Sequence, residues 1–157
     1  LAARQAAKIY KESKVWVAES KSIAEGFSAL TMLDLNNEPE VILEEIQEVM
    51  NNVTTGLVTY AIRESHIDNL DIKKGEYIGL LNNKIVASNK RRIDVLKYLI
   101  DKGAGSDKEI VTIIYGADAT QKEINDILKY IEKNYSNLEV EIIEGNQEVY
   151  SYILAIE

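Results

Sequence analysis

Apolar positions in this chain recur at two periods that take turns, one of about 3.6 residues and one of about two, and each change of period marks a change of element. LAARQAAKIYKES predicts a helix carrying Leu1, Ala2, Ala6, Ile9 and Tyr10 towards one face, and KVWVA, Lys14–Ala18, predicts a short buried strand after it. A helix running straight into a strand is the second half of a βαβ unit, so the pattern predicts an N-terminally truncated fold whose first strand would precede Leu1. SIAE, Ser22–Glu25, has the spacing of a capping box and opens a helix with Ile23, Phe27 and Leu30 at helical intervals. Pro39 stands where a first helical turn tolerates proline, ahead of Ile42, Ile46, Val49 and Val53.

TTGLVTYAIRES, Thr54–Ser65, alternates instead. Val58, Tyr60 and Ile62 fall on one side and Thr55, Thr59 and Arg63 on the other, which predicts a half-buried strand. A polar loop, HIDNLDIKKGE, follows. GEYIGLL and KIVAS then predict a hairpin turning at Asn82 and Asn83, because asparagine tolerates the positive φ of tight turns. Asn89 is the expected cap of a helix bearing Ile93, Leu96 and Leu99 or Ile100. IVTIIYG reads as a strand, and TQKE, Thr120–Glu123, as a second capping box opening a helix with Ile124, Ile127, Leu128 and Ile131. LEVEII and YSYILAIE read as closing strands. The order α-β-α-α-β-ββ-α-β-α-β-β predicts an α/β fold, a mixed sheet with flanking helices, with sub-lobes at 1–53 and 54–157.

Composition narrows the function. The chain has no cysteine, so disulfides and thiolate metal sites are excluded. A formal charge of −8 argues against nucleic acid, whose phosphates demand a basic face. No apolar run approaches the ~20 residues of a membrane span, and a cytoplasmic location is expected. Six carboxylates, Asp34, Glu38, Glu40, Glu44, Glu45 and Glu48, occur from Asp34 to Glu48 without a lysine or arginine. That run is either a solvated helix face or an acidic docking surface for a basic partner. Lys90, Arg91 and Arg92 form the compact basic cluster.

Several short stretches invite a chemical reading. GAGSDK, Gly103–Lys108, lacks the phosphate-loop pattern and precedes a strand, so it reads as a helix C-cap turn. YGADAT, with Asp118 and Thr120, lies between a strand end and a helix start, the edge at which α/β sheets collect ligands. Lys21 and Ser22 hold the corresponding place after KVWVA. These four are ligand-edge candidates, although Thr120 is also the cap of its helix. His66 has no neighbours at metal-ligand spacing. It is either a solvated loop histidine or, with Ser65 and Asp68 nearby, part of a hydrolytic arrangement. No set of residues composes an active centre.

The run TTGLVTYAIRESHIDNLDIKKGEYIGLLNNKIVAS resembles the kinase subunit of the bacterial fatty acid kinase family, a dihydroxyacetone-kinase-like group. In that family a T-G-x-V-T-Y-A-x-R strand leads through a polar loop into a G-(D/E)-x-I-G hairpin. Thr55, Gly56, Val58, Thr59, Tyr60, Ala61, Arg63, Gly75, Ile78 and Gly79 match it. Lys21, Ser22, Ile23 and Gly26 match a family T-K-S-I-x-x-G segment, with Ser20 in place of its threonine, and Tyr150, Tyr152 and Ile153 match its closing strand.

The resemblance implies the C-terminal, carrier-binding domain of a larger enzyme. ATP and Mg²⁺ would belong to a separate N-terminal domain, and no catalytic residue and no metal site are expected here. The implied partners are a fatty-acid-binding protein of the DegV type, the remainder of the kinase chain and, as a further option, a second copy in a homodimer. Docking would bring the carrier's acyl carboxylate to the ATP site, through Glu38, Glu44, Glu45 and Glu48 with Arg63, Glu64, His66 and Asp68 beside them. A fainter resemblance, to the second lobe of DegV-type fatty-acid-binding proteins, implies a DegV-like two-lobed arrangement. It also supports an alternative, a lipid-binding or small-molecule-binding module. Those proteins hold the acyl carboxylate with a histidine near the C-terminus, where this chain reads EGNQEVYSYILAIE without one. An independent enzyme is the weakest of the three readings.

Overall fold

A computed structural model describes residues 2–157, so Leu1, expected on the first helix, lies outside the described residues. The chain divides into two compact units, Leu1–Val53 and Thr54–Glu157.

The first unit is helical. Helix α1 spans Ala2–Ile9, α2 Ile23–Thr31 and α3 Pro39–Asn52. Ser22 caps α2 by accepting a hydrogen bond from the Glu25 amide at 3.0 Å. Glu25 closes back on the amide of Lys21, one residue short of a full capping box. Helix α2 turns its small side chains, Ala24, Ser28 and Ala29, inward and leaves Ile23 and Leu30 exposed, the reverse of what their spacing predicts. Its partner α3 supplies Ile46 and Met50, with Ile42 and Leu43 packed beside them, and that is the unit's small core. KVWVA is not a strand. Its β-branched residues suit one, but strands exist only by exchanging backbone hydrogen bonds with a neighbour, and among the described residues the unit has no strand to pair with. Lys14 instead folds over the Trp16 ring at 4.0 Å and pairs with Glu40 at 3.1 Å.

The second unit holds a six-stranded sheet in the order β5-β4-β1-β8-β6-β7. The strands are β1 Thr54–Tyr60, β4 Tyr77–Leu81, β5 Lys84–Asn89, β6 Ile110–Tyr115, β7 Glu139–Glu144 and β8 Tyr152–Ile156. All neighbours are antiparallel except β6 and β7, which are parallel and joined through helix α5, Gln121–Asn134. Helix α4, Arg92–Gly103, connects β5 to β6 and packs on β1, β4 and β5. The core lies between these helices and one sheet face: Val95, Leu96, Leu99 and Ile100 of α4 and Ile124, Ile127 and Ile131 of α5 meet Val58, Val111, Ile113, Leu154 and Ile156. Every residue of β8 is buried, which accounts for its unbroken apolar run. The edge strand β7 carries Glu139, Glu141 and Glu144, charges that discourage edge-to-edge pairing.

Two glycines set how closely these layers approach. A Cβ on Gly79 would meet Val95 at 2.6 Å and Leu99 at 2.9 Å, so α4 rests directly on the β4 backbone. At Gly56 a Cβ would meet Leu154 at 2.8 Å, across the β1–β8 pairing. Asn82 and Asn83 turn the β4–β5 hairpin with φ of 46° and 66°, as expected. The polar loop is more structured than its composition suggests. Asp68 and Asn69 repeat the same turn, with φ of 46° and 66°, in a small hairpin of β2 Ser65–Ile67 and β3 Leu70–Ile72. Asn89 ends β5 and accepts from the Arg91 amide at 3.0 Å, so it caps the turn before α4 and not the helix, whose cap residue is Arg91.

Gly56→Val is expected to destabilise the chain by about 1–3 kcal/mol, the usual effect of overpacking. Chemical denaturation measures it. A midpoint equal to wild type would mean that Leu154 does not fill the space above Gly56.

Candidate functional site

Ligands of α/β sheets collect beyond strand ends where helices begin. Here that edge lies where β6 ends, β8 begins and α4 and α5 both start. Gly116 closes it at backbone level. Its amide donates to the Ser151 carbonyl at 2.9 Å, and a Cβ there would strike the carbonyls of Tyr150 and Gln147 at 2.5 and 2.6 Å. The β6–α5 loop is thereby pressed against the segment that leads into β8.

Arg92, the first residue of α4, reaches into this junction with its side chain only 12% exposed. Its Nε and Nη2 donate to the two oxygens of Glu123, each at 2.8 Å, in a bidentate pair. Nη1 donates to Asp118 Oδ2 at 2.7 Å, and Nη2 also donates to the Asp118 carbonyl. The Ser151 hydroxyl donates to the same Asp118 oxygen at 2.8 Å, and the Thr120 hydroxyl to Glu123 Oε2 at 2.8 Å. Thr120 and Glu123 complete the capping box of α5 as their spacing predicts. One cation thus ties the start of α4 to the β6–α5 loop and to α5, and Asp118 carries the tie on to Ser151.

The electrostatics follow. Hydrogen bonds from the guanidinium to Glu123 raise the Arg92 pKa despite burial. Burial pushes the Glu123 carboxyl up, but hydrogen bonds from Arg92 and Thr120 outweigh it and hold the group below its ordinary 4.5. Two carboxylates face one guanidinium, so the cluster carries a net negative charge and its donors are already engaged. Such an edge repels a phosphate or a carboxylate. The Tyr152 hydroxyl, buried beside it, makes no hydrogen bond among the described residues, and burial raises its pKa.

The other predicted site residues are dispersed. Ser22 is spent on the α2 cap and Lys21 is exposed. Glu38 precedes α3 without a side-chain cap bond, and Glu45 accepts from Asn37. Glu44 and Glu48 border a shallow groove of about 450 Å³ with Arg4, Val17, Leu43 and Gln47, where Arg4 pairs with Glu19. His66 meets Asp71 Oδ1 at 2.7 Å across the β2–β3 pairing, while Asp68 is a turn residue, so no Ser-His-Asp geometry forms. Arg63 and Glu64 are exposed. Among the described residues no group of three His, Asp or Glu side chains is placed to hold a metal ion.

A feature that alternation alone does not reveal lies past the end of β1. Tyr60, Ile62, Ile67, Ile72, Ile78 and Ile85 line an apolar groove of about 360 Å³, with Arg63 and Ser65 at its margin. The small hairpin makes one wall of it, and its Asp68-Asn69 turn is the sequence signal that could locate that wall.

Comparison with known proteins assigns these features to a larger whole. Residues 1–157 match the FakA-like C-terminal family, the C-terminal part of fatty acid kinases of that type. Protein YloV of Bacillus subtilis is 38% identical over 157 residues, covering 100% of this chain and 28% of that protein. A Staphylococcus aureus (strain USA300) protein is 36% identical over the same share of each. The chain therefore spans 28% of the length of these relatives. The crystal structure of a DegV family protein from Corynebacterium glutamicum superposes with a TM-score of 0.65 at 14% identity, covering 99% of this chain and 68% of that one. That likeness establishes a DegV-like fold.

A depressed folded-state pKa contributes stability that is complete above the unfolded value and is lost as pH falls through the folded one. Glu123→Gln should therefore lower the melting temperature at neutral pH and flatten the loss of stability below pH 4.5. An acid limb identical to wild type would show that Arg92 does not hold this carboxylate. Tyr152→Phe removes an unpaired buried hydroxyl and should leave stability unchanged or raise it by up to about 1 kcal/mol. A clear drop in the denaturation midpoint would mean that the hydroxyl is bonded.

Proposed function

We propose, from the premise that this chain belongs to the FakA-like C-terminal family of fatty acid kinases, that it is a docking and positioning domain of such a kinase. It binds a separate fatty-acid-binding protein of the DegV type and holds the acyl carboxylate of its cargo near an ATP site elsewhere in the longer chain. ATP and Mg²⁺ belong to that other part, the phosphoryl transfer happens there, and the protein works in the cytoplasm. The physical effect is one of concentration. Tethering turns a bimolecular encounter into an intramolecular one, at effective concentrations that reach the mM range for short linkers.

The observation that carries this reading is the state of the Arg92 junction. A DegV-like sheet would be expected to use that edge for a ligand, yet here Arg92 is bound by Glu123 and Asp118 and the edge is net negative. A domain that has filled its own ligand edge acts through its outer surface. Two surfaces are available for that: the acidic face of α3 with Glu38, Glu44, Glu45 and Glu48, and the Arg63–Asp68 segment.

The chain, purified and extracted with organic solvent, should yield no stoichiometric lipid by mass spectrometry. Immobilised, it should capture the DegV-type fatty-acid-binding protein of the same organism. Stoichiometric co-purified fatty acid together with no capture would contradict docking and favour a lipid-binding module.

A further inference from the structure

Within TTGLVTYAIRES the fold accounts for some side chains and not others. Gly56 admits Leu154, Val58 is core, and the Thr59 hydroxyl donates to the Val149 carbonyl at 2.7 Å. Ala61 is held from both sides, its amide donating to Glu76 and its carbonyl accepting from Gly75. Tyr60, Ile62 and Arg63 have no such use. Tyr60 is 52% exposed and Ile62 75%, and Arg63 forms no ion pair among the described residues. Tyr60, Ile62 and Ile67 place three of the unit's five large exposed hydrophobic residues around one groove. Apolar patches concentrated in this way mark contact sites on otherwise polar surfaces.

The charge at the groove's edge indicates what fits it. The chain as a whole is acidic, at −8. The hydrogen bonds between Ala61 and the Gly75–Glu76 backbone bring the exposed Lys73-Lys74 turn next to Ile62 and Arg63. Among the described residues neither lysine forms an ion pair, whereas Glu76 is engaged by Ser88 and Asp71 by His66. The margin therefore presents Arg63, Lys73 and Lys74 uncompensated, beside an open apolar floor.

We propose that this groove is the docking site of the domain. It receives an aliphatic or aromatic side chain of a protein partner, flanked by partner carboxylates that meet Arg63 and Lys74. The inference rests on the docking reading above and selects the second of its two surfaces, with the acidic face of α3 outside the contact. An apolar anchor in a pocket with charged residues at its rim is how protein interfaces concentrate their affinity. The groove is open and bordered by projecting side chains, which suits a protein surface better than an enclosed acyl chain.

Binding of the DegV-type fatty-acid-binding protein is measured by biolayer interferometry against wild type, Ile62→Asp, Arg63→Glu and the α3 reversal Glu44→Lys/Glu45→Lys/Glu48→Lys. Both altered groove residues are exposed, so thermal melting should match wild type. Ile62→Asp and Arg63→Glu should each weaken binding by about tenfold or more, chiefly through faster dissociation, and the α3 reversal should not. A carboxylate-to-lysine change on the partner should restore binding to Arg63→Glu. Groove variants that bind like wild type, with the α3 reversal abolishing binding, would overturn this inference and leave the docking reading intact. No binding by wild type would overturn both. Titration of the groove's amide resonances by oleate alone at micromolar concentration would replace the protein side chain with a lipid and also overturn it.

Discussion

The last strand of the chain sits at the centre of its sheet. β8 pairs with β1 on one side and β6 on the other, and each of its residues is buried. Much else is arranged around that strand. Gly56 is glycine because Leu154 occupies the space above it, Gly103 makes room for Ile156, and Ser151 and Tyr152 bring the start of β8 against the Arg92 junction. A central strand contributed by the C-terminus makes the sheet dependent on contacts of long sequence separation. Such topologies fold slowly, because loop closure must precede the contacts that compensate for it.

The same strand explains why the ligand edge is closed. Where β8 enters the sheet, the preceding segment crosses over Gly116, and its Ser151 hydroxyl joins the Asp118 carboxylate. Arg92 then has two acidic partners within reach and none of its cation left for an external anion. Breaking such a cluster from one side leaves the remaining charges desolvated, so it persists as a unit. The outer surface is different in kind. Beyond Tyr60 the chain turns away from the sheet and projects apolar side chains that the core does not use.

The legible part of this architecture was the part with strong local chemistry. Thr120 and Glu123, three residues apart, announced the α5 cap, the Asn82-Asn83 pair announced its hairpin, and the apolar spacing of α4 and α5 picked out their buried faces. What failed depended on neighbours. KVWVA has strand composition without a strand beside it, and α2 buries alanines because close helix packing favours small residues over Ile23 and Leu30. Arg92 was visible only as part of a basic cluster. Its role emerges from partners 26 and 31 residues away, a separation that no local pattern reports. The groove was missed for a related reason: Ile62, Ile67 and Ile85 belong to different parts of the chain and meet only after the small hairpin folds.

The central claim is that this domain acts through the surface beyond β1 and not through the edge at Arg92. Hydrogen exchange of the chain, with and without the DegV-type fatty-acid-binding protein, tests it most directly. The account predicts slower exchange across 60–67 and 72–85 in the complex, with 116–123 and the start of α4 unchanged. Protection confined to 116–123 and the start of α4, whether on adding the protein or a free fatty acid, would contradict it.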